Sequence, residues 1–253
     1  MLGRAKEFEV GSEETLSGFP VSRIEEVRQL SSKFRISVLV FELSTYRNTD
    51  DDIQVPISTN QASAFLIQPN LVITNSHNVR DSQGTLTQGK IVLHTFQGNT
   101  VEASVVGHDP SADIALLRLK NPLALPTLKW GDISNMSAGD PVFTIGHPGE
   151  MGSWVTHVGI LNPEDELKSQ ITQTKNITSS IPCMQGCSGS PIFNMNGDVI
   201  AVIYGGSVVE SPPLALQLYT RIRFLEGVLS LGTTANAASS LVTKFLAEES
   251  KDE

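Results

Sequence analysis

The chain has 253 residues, 40% of them apolar, with 20 glycines and 13 prolines, enough interior for one domain or for two small β-barrels sharing a core. Its formal charge of −9 repels nucleic acid and anionic membranes and excludes both as partners. No apolar run approaches the roughly 20 residues that span a bilayer, residues 1–9 carry no apolar leader core, and two cysteines are few for a secreted chain of this size, so a reducing, cytoplasmic compartment is expected.

In chain order, residues 1–20 read as a polar arm. Residues 21–34 place Ile24, Val27, Leu30 and Phe34 at helical spacing, with Ser22 and Glu25 forming a capping box. Ile36–Leu43 is the first predicted strand. Residues 45–60 are polar and contain Asp50, Asp51 and Asp52; a solvated loop, not a metal site, is expected there. Ala62–Gln68 and Leu71–Thr74 predict a hairpin turning at Pro69-Asn70. Short β-rich runs follow at 91–95, 101–106, 114–119, 141–145, 154–160, 171–174, 191–194, 199–204 and 216–221, with Asn196-Gly197 as a hairpin turn. Many short strands separated by turns predict an all-β barrel or sandwich. Helical pieces are expected at 224–230 and 237–249, with residues 232–238 as a linker between them.

The chemistry concentrates in Gln185-Gly186-Cys187-Ser188-Gly189-Ser190-Pro191. A glycine two places before a serine lets the backbone turn sharply, so that the Gly186 and Ser188 N–H groups converge on one point, as an oxyanion requires. Upstream lie His77, in Thr74-Asn75-Ser76-His77, and Asp113, in Ala112-Asp113-Ile114-Ala115-Leu116-Leu117. The order His, Asp, Ser is one known solution to the serine triad. Asp113 heads an apolar strand, where a carboxylate needs a partner; Asp109 is the rival, and capping of the turn after Pro110-Ser111 is the competing role for Asp113. His94, His108, His147 and His157 lack the Thr-Asn-x context of His77.

These segments, with Ile145-Gly146-His147-Pro148-Gly149 and Gly186–Asn194, resemble trypsin-like serine proteases of the chymotrypsin fold, above all the HtrA-like proteases and the glutamyl endopeptidases. The resemblance runs from the first strand to about Arg223. It implies an all-β fold of two antiparallel six-stranded β-barrels packed together, flanked here by N-terminal and C-terminal helices. On that reading residues 1–34 are an arm and helix, 35–231 the protease domain, and 232–253 a linker and helix. Ser188 would be the nucleophile, His77 the general base and Asp113 its orienting partner, with Gly186 and Ser188 supplying the oxyanion hole. The implied partner is a protein or peptide substrate, and no cofactor or metal is called for.

Cys187 stands where digestive-type relatives carry an ion-pairing aspartate, so activation by release of a new N terminus is not expected. It also raises a cysteine nucleophile, but the Gly-x-nucleophile-Gly frame selects Ser188. Cys183 and Cys187 are expected as reduced thiols, with a disulfide as the alternative. The P1 pocket implied by the resemblance lies among Pro182, Cys183, Gln185, Ile203, Tyr204 and Gly205. It holds no acidic residue, and Ile203 replaces the histidine of glutamyl endopeptidases, so a small or medium apolar P1 residue is expected. The Ile203–Gly205 edge should pair with an extended substrate. The competing class is a catalytically silent scaffold of the same fold, which would usually have lost a triad residue.

Overall fold

The structure, a computed structural model, describes residues 15–16, 19–48, 54–149, 152–162, 176–208 and 228–252. It is built from strands β1 (Thr15–Leu16), β2 (Phe19–Pro20), β3 (Val38–Asn48), β4 (Gln54–Gln68), β5 (Leu71–Thr74), β6 (Lys90–His94), β7 (Thr100–Asp109) and β8 (Ile114–Leu119), then β9 (Pro141–Gly146), β10 (Val155–Ile160), β11 (Asn176–Pro182), β12 (Pro191–Phe193), β13 (Val199–Val208) and β14 (Val228–Thr234). Helices α1 (Ile24–Phe34) and α2 (Ala235–Asp252) flank them.

β3 to β8 close into a barrel in the order β3-β4-β5-β8-β7-β6, and β9 to β14 form a six-stranded sheet ordered β10-β9-β12-β13-β14-β11. The named strands of both units pair antiparallel among the described residues, and the bridge Leu161–Ser179 draws the two ends of the second sheet together. The two six-stranded barrel-like units expected from the sequence are therefore present, one closed and one half-open.

Period-2 alternation explains how one strand serves two interiors. In β8, Ala115, Leu117 and Leu119 fill the first barrel, whereas Ile114 and Leu116 join the core between the units. β5 divides likewise, with Val72 inward and Leu71 and Ile73 at the interface. Strands buried on both faces read as unbroken apolar runs, which is why Leu71–Ile73 and Ile114–Leu117 show no polar alternation. From the second unit Phe143, Ile145, Phe193 and Val202 reach the same shared core, while Ile181, Ile192, Ile200 and Ile203 fill that unit's own interior.

The helices tie the units together crosswise. α1 precedes the first barrel yet packs on the second unit, where Phe34 stacks on Phe193 with centroids 5.6 Å apart. α2 follows the second unit and packs back on the first: Phe245 lies where a Cβ on Gly107 would come within 2.7 Å of its ring, and Arg118 pairs with Glu249.

Several expectations are corrected. Residues 45–48 and 54–60 are strand, not loop: β3 and β4 extend their pairing from Val38–Phe65 out to Asn48–Gln54, because alternating small hydroxyl residues such as Thr45 and Ser58 pair across the ribbon at 2.7 Å; residues 49–53, with Asp50–Asp52, fall outside the described residues. The capping box does not form, since a 3₁₀ turn over Val21–Arg23 moves the helix start to Ile24 and Glu25 pairs instead with Arg28 at 2.7 Å. Residues 232–238 are no linker, because β14 runs to Thr234, held against β13, and α2 begins at Ala235. Residues 228–230 are strand, not helix. Residues 19–20 of the expected arm are anchored, with Phe19 fully buried in the shared core. The strands expected at 171–174 and 216–221 and the start of the helix expected at 224–230 lie outside the described residues.

Candidate active site

His77 sits in a 3₁₀ turn, Ser76–Asn78, directly after β5. Asp113 precedes β8, the neighbour of β5, so adjacent strand ends deliver the two side chains to one edge of the barrel. The Asp113 carboxylate engages His77 twice: Oδ1 accepts the backbone N–H at 2.8 Å and Oδ2 lies 2.6 Å from Nδ1. The Asp113 side chain is 1% exposed and that of His77 38% exposed, so the carboxylate is buried while the imidazole faces solvent. Asp113 adopts φ +52°, a left-handed conformation that aspartate tolerates better than most residues. Asn75 Nδ2 donates to the Asp113 carbonyl at 2.9 Å and Thr233 Oγ1 to the Ala112 carbonyl at 2.6 Å, which holds this backbone in place. The rival Asp109 instead accepts from Ser111 and Ala112 N–H groups; it is the turn cap.

The serine turn comes from the second unit and docks on β4 of the first. Ser63 N–H donates to the Ser188 carbonyl at 2.8 Å, and Ser63 Oγ donates to the Gly186 carbonyl at 2.8 Å. Gly186 has φ +97° and a Cβ there would lie 2.1 Å from the His147 carbonyl oxygen; at Gly189, φ +85°, a Cβ would lie 2.0 Å from that of Ser63. Only glycine fits either position. Among the described residues no protein acceptor takes the Gly186 or Ser188 N–H, and Ser188 Oγ makes no hydrogen bond to the His77 ring.

A cleft of about 600 Å³ opens beside this turn, lined by Gln185, Gly186, Gln61, Val40, His147 and Ser153 among others. Of the residues expected around P1, only Gln185 borders it. Cys183 and Ile203 point into the interior of the second unit, Tyr204 is buried, and Pro182 ends β11 half-buried. Gly205 faces open space, with nothing within 4 Å of a Cβ position. β12 pairs with β13 only as far as Val202, so from Gly205 onward no described strand pairs that edge of β13.

Cys183 and Cys187 are free, buried thiols. Their contact pushes Cys183 up and holds Cys187 down to about 7, one thiol donating to the other. His147 is also buried: its Nδ1 accepts the Trp154 N–H at 3.0 Å, its backbone N–H reaches Ser63 Oγ at 3.1 Å, and burial pushes its pKa down to about 4. Sequence reasoning missed Ser63 and Asn75 as site residues. A serine at an apolar strand position, between the buried alanines Ala62 and Ala64, was the signal available for Ser63, because a buried hydroxyl implies a partner.

Two antiparallel six-stranded units joined at an apolar seam, with a histidine–aspartate pair on one and a glycine-flanked serine turn on the other, make a trypsin-like architecture. The chain belongs to the family of the trypsin-like peptidase domain, whose model matches residues 62–202, just over half of it. Among curated proteins it is 34% identical over 143 residues to a probable periplasmic serine endoprotease, DegP-like, of Pseudomonas putida, covering 55% of this chain and 28% of that protein. It is 32% identical over 154 residues to the mitochondrial serine protease HTRA2 of Bos taurus, covering 59% of this chain and 32% of that protein. The chain thus spans about a third of the length of these relatives. Among solved structures, the HtrA-type protease AlgW with decapeptide superposes with a TM-score of 0.67 at 16% identity, covering 88% of this chain and 68% of the other, a likeness of fold. The HtrA-like resemblance read from the motifs is upheld. The cytoplasmic expectation is not: DegP-like relatives from Pseudomonas putida, Rickettsia conorii and Chlamydia pneumoniae are named periplasmic. It rested on few cysteines and the composition of residues 1–9. Neither decides compartment, since a core of this size holds without disulfides. No helix among the described residues is long and apolar enough to cross a membrane.

Proposed function

We propose that this chain is the hydrolytic module of a serine endopeptidase. The observation that carries the reading is the double engagement of the buried Asp113 carboxylate with His77. It fixes the ring, places the proton on Nδ1 and leaves Nε2 as the acceptor a general base needs. In this mechanism Ser188 Oγ attacks the scissile carbonyl carbon as His77 Nε2 takes its proton. The C–N bond then breaks, His77 gives that proton to the leaving amine, and water resolves the acyl-enzyme by the same relay. The developing oxyanion is received by the Gly186 and Ser188 N–H groups, a role supported by their having no acceptor among the described residues. The missing Ser188–His77 hydrogen bond does not weigh against this, because such bonds often tighten only with substrate bound.

The substrate we propose is an extended peptide lying along the edge of β13 at Gly205 that no described strand pairs, in keeping with the structural likeness to AlgW with its decapeptide. A small or medium apolar P1 residue is favoured by the cleft beside the turn, whose described lining carries no acidic side chain to take a basic one. The test is hydrolysis of unfolded casein: the chain should cleave it, and Ser188→Ala should lose roughly 10⁴-fold or more in rate. Equal turnover by both proteins would refute the assignment, and a folded chain with no turnover on any peptide would favour the silent scaffold.

A further inference from the structure

We infer that Ser63 is a positioning residue that presets the oxyanion-binding turn; the inference rests on the hydrolase reading above. Ser63 belongs to β4, in the other unit from the turn it holds, and is fully buried. Each of its polar atoms reaches outside its own strand pairing. Its N–H donates to the Ser188 carbonyl at 2.8 Å. Its hydroxyl donates to the Gly186 carbonyl at 2.8 Å and accepts the His147 N–H at 3.1 Å. Its carbonyl accepts from Thr74 Oγ1 at 2.8 Å, and Thr74 Oγ1 in turn accepts from Asn78 Nδ2 at 2.9 Å. Asn78 is the residue after His77, so one serine links the histidine turn to the serine turn.

The consequence follows from which peptide groups are held. The Gly186 and Ser188 N–H groups flank the peptide between Gly186 and Cys187. Its carbonyl is held by Ser63 Oγ and its N–H, that of Cys187, donates to Met184 O at 3.0 Å. The peptide after Ser188 is held by Ser63 N–H. Glycine at 186 leaves the backbone otherwise free to rotate, so without the Ser63 hydroxyl the clamped peptide keeps one bond instead of two. The turn then samples arrangements in which the two amides no longer converge. Only the converged fraction reacts, so turnover falls with that fraction, while substrate binding along β13 and in the cleft changes little. A donor aimed where charge develops acts on kcat and not on KM.

The test compares the full chain with Ser63→Ala in three measurements: the rate of covalent labelling by a fluorophosphonate, kcat and KM on a peptide substrate, and the melting temperature. Ser37→Ala is the stability control. Ser37 is equally buried and donates to Pro126 O at 2.7 Å, with no hydrogen bond to the described residues of the turn. We expect Ser63→Ala to label at least tenfold more slowly with KM within about threefold, and Ser37→Ala to label at the wild-type rate after a comparable loss of melting temperature. A peptide boronic acid, which mimics the tetrahedral state, should lose affinity for Ser63→Ala by the same factor as kcat/KM. Ser63→Cys keeps the shape with a weaker donor; it serves if Ser63→Ala does not fold, and should also label several-fold more slowly. Equal labelling of folded Ser63 variants and wild type, or equal slowing in Ser37→Ala, overturns the inference and leaves the hydrolase reading intact. A folded wild type that does not label at all overturns that reading and this inference with it.

Discussion

Acid should weaken this fold through His147. The side chain is nearly buried, 5% exposed, with its ring edge-on to Trp154 at 4.9 Å. Nδ1 accepts the Trp154 N–H, so a proton added there would set donor against donor, and no carboxylate among the described residues contributes to its pKa. Burial pushes that pKa from 6.5 to about 4. The folded value lies below the unfolded one, so as pH falls the unfolded chain takes up the proton first. The stability from this group is complete above pH 6.5 and is lost as pH falls toward 4. Linkage gives a loss of about 2 kcal/mol between pH 7.5 and pH 5 from this residue alone. The assay is urea unfolding followed by Trp130 and Trp154 fluorescence across that range, for the wild type and for His147→Gln, which still offers an acceptor to Trp154 but does not titrate. His108 and His157, also pushed down by burial, are common to both proteins and cancel in the difference. The wild type should lose about 2 kcal/mol more than the variant. Parallel pH profiles would refute the reasoning.

Three other outcomes are expected. Asp113→Asn should keep the fold and lose roughly 10⁴ in turnover through the wrong histidine tautomer, whereas Asp109→Ala should cost about 1–2 kcal/mol of stability with turnover within a few-fold; the reverse result would exchange their roles. Cys187→Ala should stay within about tenfold of wild-type turnover, because its thiol faces the second unit's interior; complete loss in a folded protein would point to a cysteine nucleophile. Phe19→Ala should cost about 3–5 kcal/mol, read from the melting curve, since Phe19 is fully buried in the shared core; an unchanged melt would mean that the N-terminal segment does not contribute to that core.

The sequence carried most of the strands because their apolar runs are short and bounded by turn residues. It carried the candidate site because a glycine–serine turn, a histidine and an aspartate each came in a local context that restricts their roles. Elsewhere the deciding contacts are not local. Residues 45–60 are polar, so composition suggested a loop, yet cross-strand hydroxyl pairs such as Thr45–Ser58 hold residues 45–48 and 54–60 extended. Residues 232–234 look like a flexible glycine–threonine stretch, but a Cβ on Gly232 would lie 3.1 Å from the Ala201 side chain, a close approach visible only once β13 and β14 are paired. The expected P1 walls illustrate the same limit. Cys183 and Ile203 were placed near the serine, but which face of the chain they occupy depends on the second unit's register, and that register turns both inward.

The most direct test of the proposed triad is covalent labelling of the intact chain by a fluorophosphonate, with the adduct located by peptide mass mapping. A Ser188 nucleophile activated by His77 predicts one adduct, on Ser188, abolished in Ser188→Ala and strongly slowed in His77→Ala. A folded chain that takes no label, or one labelled at another residue with Ser188 untouched, would contradict it.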